Sequence, residues 1–126
     1  MEPSVRKGFP REGRLLRHAD FERVYKQGKR HFAAHMTVFY LSREESQNFR
    51  VGFTVGRALG GAVVRNRMKR RLREAVRLMR RDSNVAVDVV INPKKSLLTA
   101  EFAEIQQEVK RAFEVIKRKC SERASQ

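Results

Sequence analysis

The sequence predicts an α+β domain, a two-layer α/β sandwich in which helices pack on a single sheet. Three observations point there. Apolar residues recur at steps of three or four in three segments, they alternate with a period of two in three others, and these follow in the order helix, strands, helix, strand, helix with no internal repeat. At 126 residues the chain is long enough for one modest core but not for two, so one domain is expected.

Residues 1–14 carry Pro3, Gly8, Pro10 and Gly13 among charged side chains without periodicity, and are expected to form a flexible basic arm. A short helix is expected over 20–27, with Asp20 near its cap, Phe21, Val24 and Tyr25 at helical spacing, and Gly28 ending it. From His35 to Leu41, Met36, Val38 and Tyr40 alternate with Thr37, Phe39 and Leu41, which predicts a strand, and a polar turn follows over 42–48. A second strand over 50–56 sets Val51, Phe53 and Val55 against Gly52, Thr54 and Gly56, leaving one face with little bulk.

Gly56, Gly60 and Gly61 bracket the entry to a long helix, where backbone donors and the positive end of the macrodipole favour an anion. Beyond that helix, Val85, Val87, Val89 and Ile91 alternate with Ala86, Asp88 and Val90 before Pro93, a third strand in which Asp88 is expected at a cap or an edge. Thr99 is the expected N-cap of a last helix whose core stripe is Phe102, Ile105, Val109, Phe113 and Ile116. A polar tail is expected over 120–126.

The long helix is where composition turns into chemistry. Val64, Met68, Leu72, Ala75, Val76 and Met79 share one face, while Arg65, Lys69, Arg73, Arg77 and Arg80 fall on one flank, Arg67 and Arg71 on the other, and Asn66 and Arg70 between them. The only acid in the run is Glu74. A solvated helix ordinarily mixes signs, because i,i+4 pairs of opposite charge stabilise it by about 0.2–0.5 kcal/mol and like charges cost a similar amount. This one carries the repulsion, and does so with arginine, whose planar fork grips phosphate bidentately and stacks on bases.

Across the whole chain 29 Lys and Arg face 14 Asp and Glu, a net charge of +15 that favours rapid, salt-sensitive association with a polyanion such as nucleic acid. No apolar run approaches the roughly 20 residues of a membrane-spanning helix, and no signal-peptide pattern opens the chain, so a cytoplasmic protein that does not engage a membrane is expected. The single cysteine, Cys120, can form neither an internal disulfide nor a thiolate metal cluster. His18, His31 and His35 have no partnered carboxylate or nucleophile in the sequence pattern, and neither a Walker loop nor a dinucleotide fingerprint occurs. Phe21, Tyr25 and Phe39 suit either core packing or base stacking, and pattern alone leaves both open.

The stretch Arg57-Ala58-Leu59-Gly60-Gly61-Ala62-Val63-Val64-Arg65-Asn66-Arg67-Met68-Lys69-Arg70-Arg71-Leu72-Arg73-Glu74 resembles the signature of the bacterial ribonuclease P protein component, with Arg-Asn-Arg at its heart. Similarity extends to Asp20-Phe21 and Val24-Tyr25, to Arg50-Val51-Gly52-Phe53, to the valine-rich strand ending near Pro93 and to Leu98-Thr99, so it covers residues 15–117 and sets the family's domain over 15–119. The resemblance implies an RNA-binding subunit of an endoribonuclease, in which a catalytic RNA uses Mg2+ to hydrolyse the 5′ leader from precursor tRNA. The protein would supply no catalytic residue and bind no cofactor itself, with one protein per catalytic RNA. It also implies a left-handed strand-helix-strand crossover about the signature helix.

By matched position, the resemblance implies that Arg65, Asn66, Arg67, Lys69, Arg70 and Arg73 contact the catalytic RNA. It implies likewise that Phe21, Tyr25, Phe39 and Thr54 line a cleft for the single-stranded leader, with Arg65 and Asn66 close by. Two positions depart from the family pattern: Ala58 replaces a second basic residue after Arg57, and Tyr25 stands where phenylalanine is common, its hydroxyl available for a bond to sugar or phosphate. The rival readings are a ribosomal or general RNA-binding protein and a metal-independent ribonuclease using His31 or His35. A helix-turn-helix DNA binder is weaker, because no helix joined by a tight turn precedes the basic one.

Overall fold

The computed structural model describes residues 17–42, 49–80 and 86–124. Its elements are α1 (His18–Gln27), β1 (Lys29–Phe32), β2 (Met36–Ser42), β3 (Phe49–Phe53), α2 (Ala62–Arg80), β4 (Val87–Pro93) and α3 (Phe102–Ala124), with short 3-10 turns at Arg57–Leu59 and Lys95–Leu98. The expected arm over 1–14, the turn residues 43–48 and Val85 lie outside the described residues, while α3 runs on to Ala124, into the segment expected as a tail.

One mixed sheet has the order β1-β2-β4-β3. β1 with β2 and β2 with β4 are antiparallel, whereas β3 and β4 run parallel and are joined through α2. Met36, Val38 and Tyr40 of β2 face the same side as Val51, Val87, Val89 and Ile91, and against them pack Met68, Leu72, Ala75 and Val76 of α2 and Ile105, Val109, Phe113 and Ile116 of α3. Of the apolar stripe read on α2, Met68, Leu72, Ala75 and Val76 are fully buried and Val64 packs at its margin, while the Met79 side chain lies outside the described residues. Cys120 belongs to the same core as a free thiol.

The short helix α1 packs on β2 and β4 from the opposite side. Val24 and Val90 are fully buried there, apart from the main core. β4 is therefore covered on both faces, which explains its near-continuous burial. Asp88 sits fully buried in this central strand rather than at a cap or edge. Its cross-strand neighbour Arg50 makes the burial tolerable, with Nε 2.9 Å from Oδ1 and Nη2 3.0 Å from Oδ2.

Several local expectations need correction. β1 was not expected at all, since Lys29-Arg30-His31-Phe32 shows no apolar alternation; it forms because the tight return from β2 presents a ladder to it. Asp20 is near the cap as expected, in the first turn of α1, where Oδ2 accepts the N–H of the capping residue Arg17 at 3.0 Å. Gly28 ends the helix in extended backbone, and glycine is needed for space: a Cβ would stand 2.5 Å from the carbonyl oxygens of Val24 and Tyr40. Thr99 closes the 3-10 turn before α3 instead of capping α3. Among the glycines entering α2, Gly60 alone has a positive φ, 146°, while a Cβ at Gly56 or Gly61 would meet nothing.

Candidate nucleic-acid interface

Two regions carry the residues singled out from the sequence. On α2, Asn66, Arg67, Arg70 and Arg73 are exposed, and Arg65 and Lys69 half-buried. Arg65 is held at the start of the helix by its Nε, which donates to the Gly60 carbonyl at 3.1 Å. Arg67, Arg70, Arg71 and Glu74 line a shallow groove with Phe102 of α3, of about 400 Å³. Not every cation of the helix faces outward for a partner. Arg71 clamps the turn before α3, Nη1 donating to the carbonyls of Leu97 and Leu98 at 2.8 and 2.9 Å and Nη2 to that of Ala100 at 2.6 Å. Arg77 pairs with Glu74 at 2.6 Å, and this carboxylate holds its guanidinium further toward the charged form.

The second region lies on the opposite face of the sheet. Tyr25 of α1 and Phe39 of β2 pack edge to face with centroids 4.8 Å apart. The Arg30 guanidinium stands over the Phe39 ring at 5.3 Å, a cation–π contact between cross-strand partners of β1 and β2. The Tyr25 hydroxyl reaches Thr54 Oγ1 at 2.8 Å and Asn92 Oδ1 at 3.0 Å. All three groups are satisfied when Tyr25 donates to Asn92 and Thr54 donates to Tyr25. What crosses the bare end of β3 is therefore Tyr25, and its hydroxyl is engaged within the protein rather than held out for sugar or phosphate.

Tyr25 remains 37% exposed, enough to offer a ring face while its hydroxyl is pinned. Phe21 stands one turn earlier on α1, half-buried, and makes no ring contact with this pair among the described residues. Arg30 and Asn92 complete the cleft, and sequence reading missed both. The signal existed only as strand parity, since Asn92 shares its face with Val90 and Arg30 pairs with Phe39, and both facts require the register.

Charged groups fasten α1 over this cleft. Asp20 pairs with Arg23 and lies 3.7 Å from Arg50, which in turn holds Asp88. Burial pushes the Asp20 carboxyl up, yet the Arg17 amide and the Arg23 and Arg50 guanidiniums together outweigh it and hold its pKa below the ordinary value.

The histidines are elsewhere. His18 pairs with Glu22 at 3.5 Å on the exposed side of α1. His35 ties the β1–β2 turn to α3, with Nδ1 2.7 Å from Ser96 Oγ, Nε2 3.5 Å from Glu104, and its backbone N–H donating to Glu108 at 3.0 Å. Carboxylate partners invisible in the sequence thus come from α3. His31 is shifted down by burial and by Arg111. Among the described residues, no group of three or more His, Cys, Asp or Glu is placed to hold a metal ion, and no helix is long and apolar enough to cross a membrane.

Fold and site together define a class: a small, strongly basic α+β protein with a cationic helix on one side of its sheet and an aromatic cleft on the other, a layout suited to a polyanion. Comparison with known proteins narrows it. The ribonuclease P family model matches residues 9–117. The ribonuclease P protein component of Symbiobacterium thermophilum is 41% identical over 101 residues, covering 80% of this chain and 88% of that protein. That of Bacillus cereus strain G9842 is 31% identical over 100 residues, covering 79% and 87%. The solved RNase P protein of Staphylococcus aureus superimposes with a TM-score of 0.72 at 28% identity, over 82% of this chain and 94% of that one. The chain belongs to the bacterial ribonuclease P protein family, and so takes part in the 5′ maturation of tRNA as a component of that endoribonuclease.

Proposed function

We propose that this protein binds both the catalytic RNA and the single-stranded leader of precursor tRNA, so that the holoenzyme prefers precursor to mature tRNA. The observation that carries this reading is the cleft in which Tyr25, Phe39 and Arg30 pack against one another beside α1, on the sheet face away from α2 and α3. Arg65, Asn66, Arg67, Lys69, Arg70 and Arg73 seat the catalytic RNA, one protein to each RNA. Phe21, Tyr25, Phe39 and Thr54 take the leader, with Arg65 and Asn66 at the entry to α2 contributing to it. Chain connectivity supports that last assignment: β3 ends at Phe53, Thr54 follows, and α2 begins at Ala62.

The role of the protein in the reaction is electrostatic and geometric. Two RNAs repel each other, and a cationic helix between them releases counterions and lowers the Mg2+ needed to bring them together. The hydrolytic metals belong to the RNA. Bases of the leader stack on the Tyr25 face and on the Arg30 plane that Phe39 supports, at about 1–3 kcal/mol each and without reading base edges, which suits leaders of varied sequence.

The deciding experiment is processing of a precursor tRNA by bacterial ribonuclease P RNA at low Mg2+, with and without the purified protein. Cleavage at the mature 5′ end should return only when both are present. RNA binding without restored cleavage would favour a general RNA-binding protein. Cleavage by the protein alone in chelator would favour the histidine ribonuclease reading. Within the holoenzyme, Phe39→Ala should weaken precursor binding and leave mature-tRNA binding unchanged; equal losses would remove the leader cleft.

A further inference from the structure

β1 is one of the two edge strands of the sheet, and strand parity sorts its side chains between two faces. Lys29 and His31 pair with Tyr40 and Val38, whose side chains enter the core. Arg30 and Phe32 pair with Phe39 and Thr37, and so lie on the face of the aromatic cleft. Phe32 is 66% exposed and takes no part in either core. Burying apolar surface is favourable, so this ring holds apolar surface in reserve for a partner. Single exposed apolar residues are common on proteins. What sets Phe32 apart is its place: it is the diagonal cross-strand neighbour of Phe39, at a spacing of about 7–8 Å, with Arg30 on the same face beside it.

Resting on the leader reading above, we infer that Phe32 forms a further stacking subsite at the sheet edge for a leader nucleotide beyond those held by Tyr25 and Phe39, on the side away from Thr54. The leader runs across the sheet from Thr54, just beyond β3, and Asn92 on β4, past Phe39 on β2, and off the edge over Phe32. The occupant is RNA because the rings share their face with a cation: Arg30 stands over the Phe39 ring and lies two residues along the same strand from Phe32, and the chain carries +15. Stacking platforms of this kind accept any base, so the subsite senses leader length more than leader sequence.

The test uses the reconstituted holoenzyme with precursor tRNAs whose leaders are lengthened one nucleotide at a time. Wild type, Phe32→Ala, Phe32→Trp and Phe39→Ala are compared for precursor affinity, with thermal melts confirming that each variant folds. Phe32→Ala should match wild type on the shortest leaders and fall behind by about 5- to 10-fold once the leader reaches the edge. Phe32→Trp should retain the length dependence. A Phe39→Ala loss with Phe32→Ala indistinguishable from wild type at every length overturns the edge subsite alone. No loss from Phe39→Ala either would overturn the leader reading beneath it. Sedimentation of the free protein closes the remaining route: if Phe32→Ala changes only self-association, the face belongs to a second copy of the chain and the subsite is overturned.

Discussion

The cationic face of α2 and the aromatic cleft across the sheet are assembled in opposite ways. The first comes from consecutive residues on one helix, which any folding of that helix will display. The second draws Tyr25, Arg30, Phe39, Thr54 and Asn92 from five segments and exists only in the correct register. The difference follows from the range of the forces. A charge acts over about 8–10 Å in physiological salt and tolerates movement, whereas ring contacts are sensitive to shifts of an ångström. A cationic helix face therefore tolerates a loosely held partner, whereas an aromatic cleft must be held firmly to be useful.

The sharpest way to break the comparison is Asp88→Ala, which leaves Arg50 without its buried partner and loosens the attachment of α1. A destabilisation of about 3 kcal/mol is expected, at the lower end for a broken buried pair because Arg50 is partly exposed. The cleft should suffer first. Urea unfolding reads the stability, and holoenzyme binding should lose its preference for precursor while salt-dependent binding to the catalytic RNA survives.

Changing Arg65 and Arg70 together to Ala should do the reverse. Assembly with the catalytic RNA weakens, and the slope of log affinity against log salt falls by about 2, one contact per residue, while stability drops by only about 1 kcal/mol for the lost Arg65–Gly60 hydrogen bond. An unaltered slope would take these two residues out of the RNA contact. Tyr25→Phe is a smaller change: it keeps the ring and removes the link to Thr54 and Asn92, so precursor affinity should drop by about 1 kcal/mol or less. A loss confined to mature tRNA would place the hydroxyl outside the cleft.

The smallest expected effect is that of pH. The folded state holds the Asp20 carboxyl below its ordinary value, so its ion pairs contribute stability that is complete above about pH 4 and lost as pH falls through the folded value. Asp20→Asn should flatten that part of an acid-unfolding curve. If the variant and the wild type trace the same curve, α1 is not held through this carboxylate.

What could be read in advance divides along the same line. The stripe Met68, Leu72, Ala75 and Val76 and the exposed Asn66, Arg67 and Arg70 followed from helical spacing, because a helix is a local structure whose faces its own residues define. Arg71 looked like its neighbours, and only the position of the Leu97–Ala100 turn shows that it binds carbonyls. Thr99 had the chemistry of a cap, but the preceding 3-10 turn had already taken it in. β1 has no apolar rhythm of its own to announce it, and its role in the cleft arises from lying beside β2.

Sequence alone determined the net charge, the long basic helix with its buried and exposed faces, the valine-rich strands and the signature around Arg65-Asn66-Arg67, since each is written in neighbouring residues. Tertiary structure alone decided that Asp88 lies in a central strand, that Arg50 compensates it and also reaches Asp20, that Tyr25 is pinned by Thr54 and Asn92, and that Arg30 and Phe32 join the face of Phe39. Strand order and register bring those residues together across long stretches of chain, and a two-residue period assigns a side chain to a face without saying which strand will stand next to it.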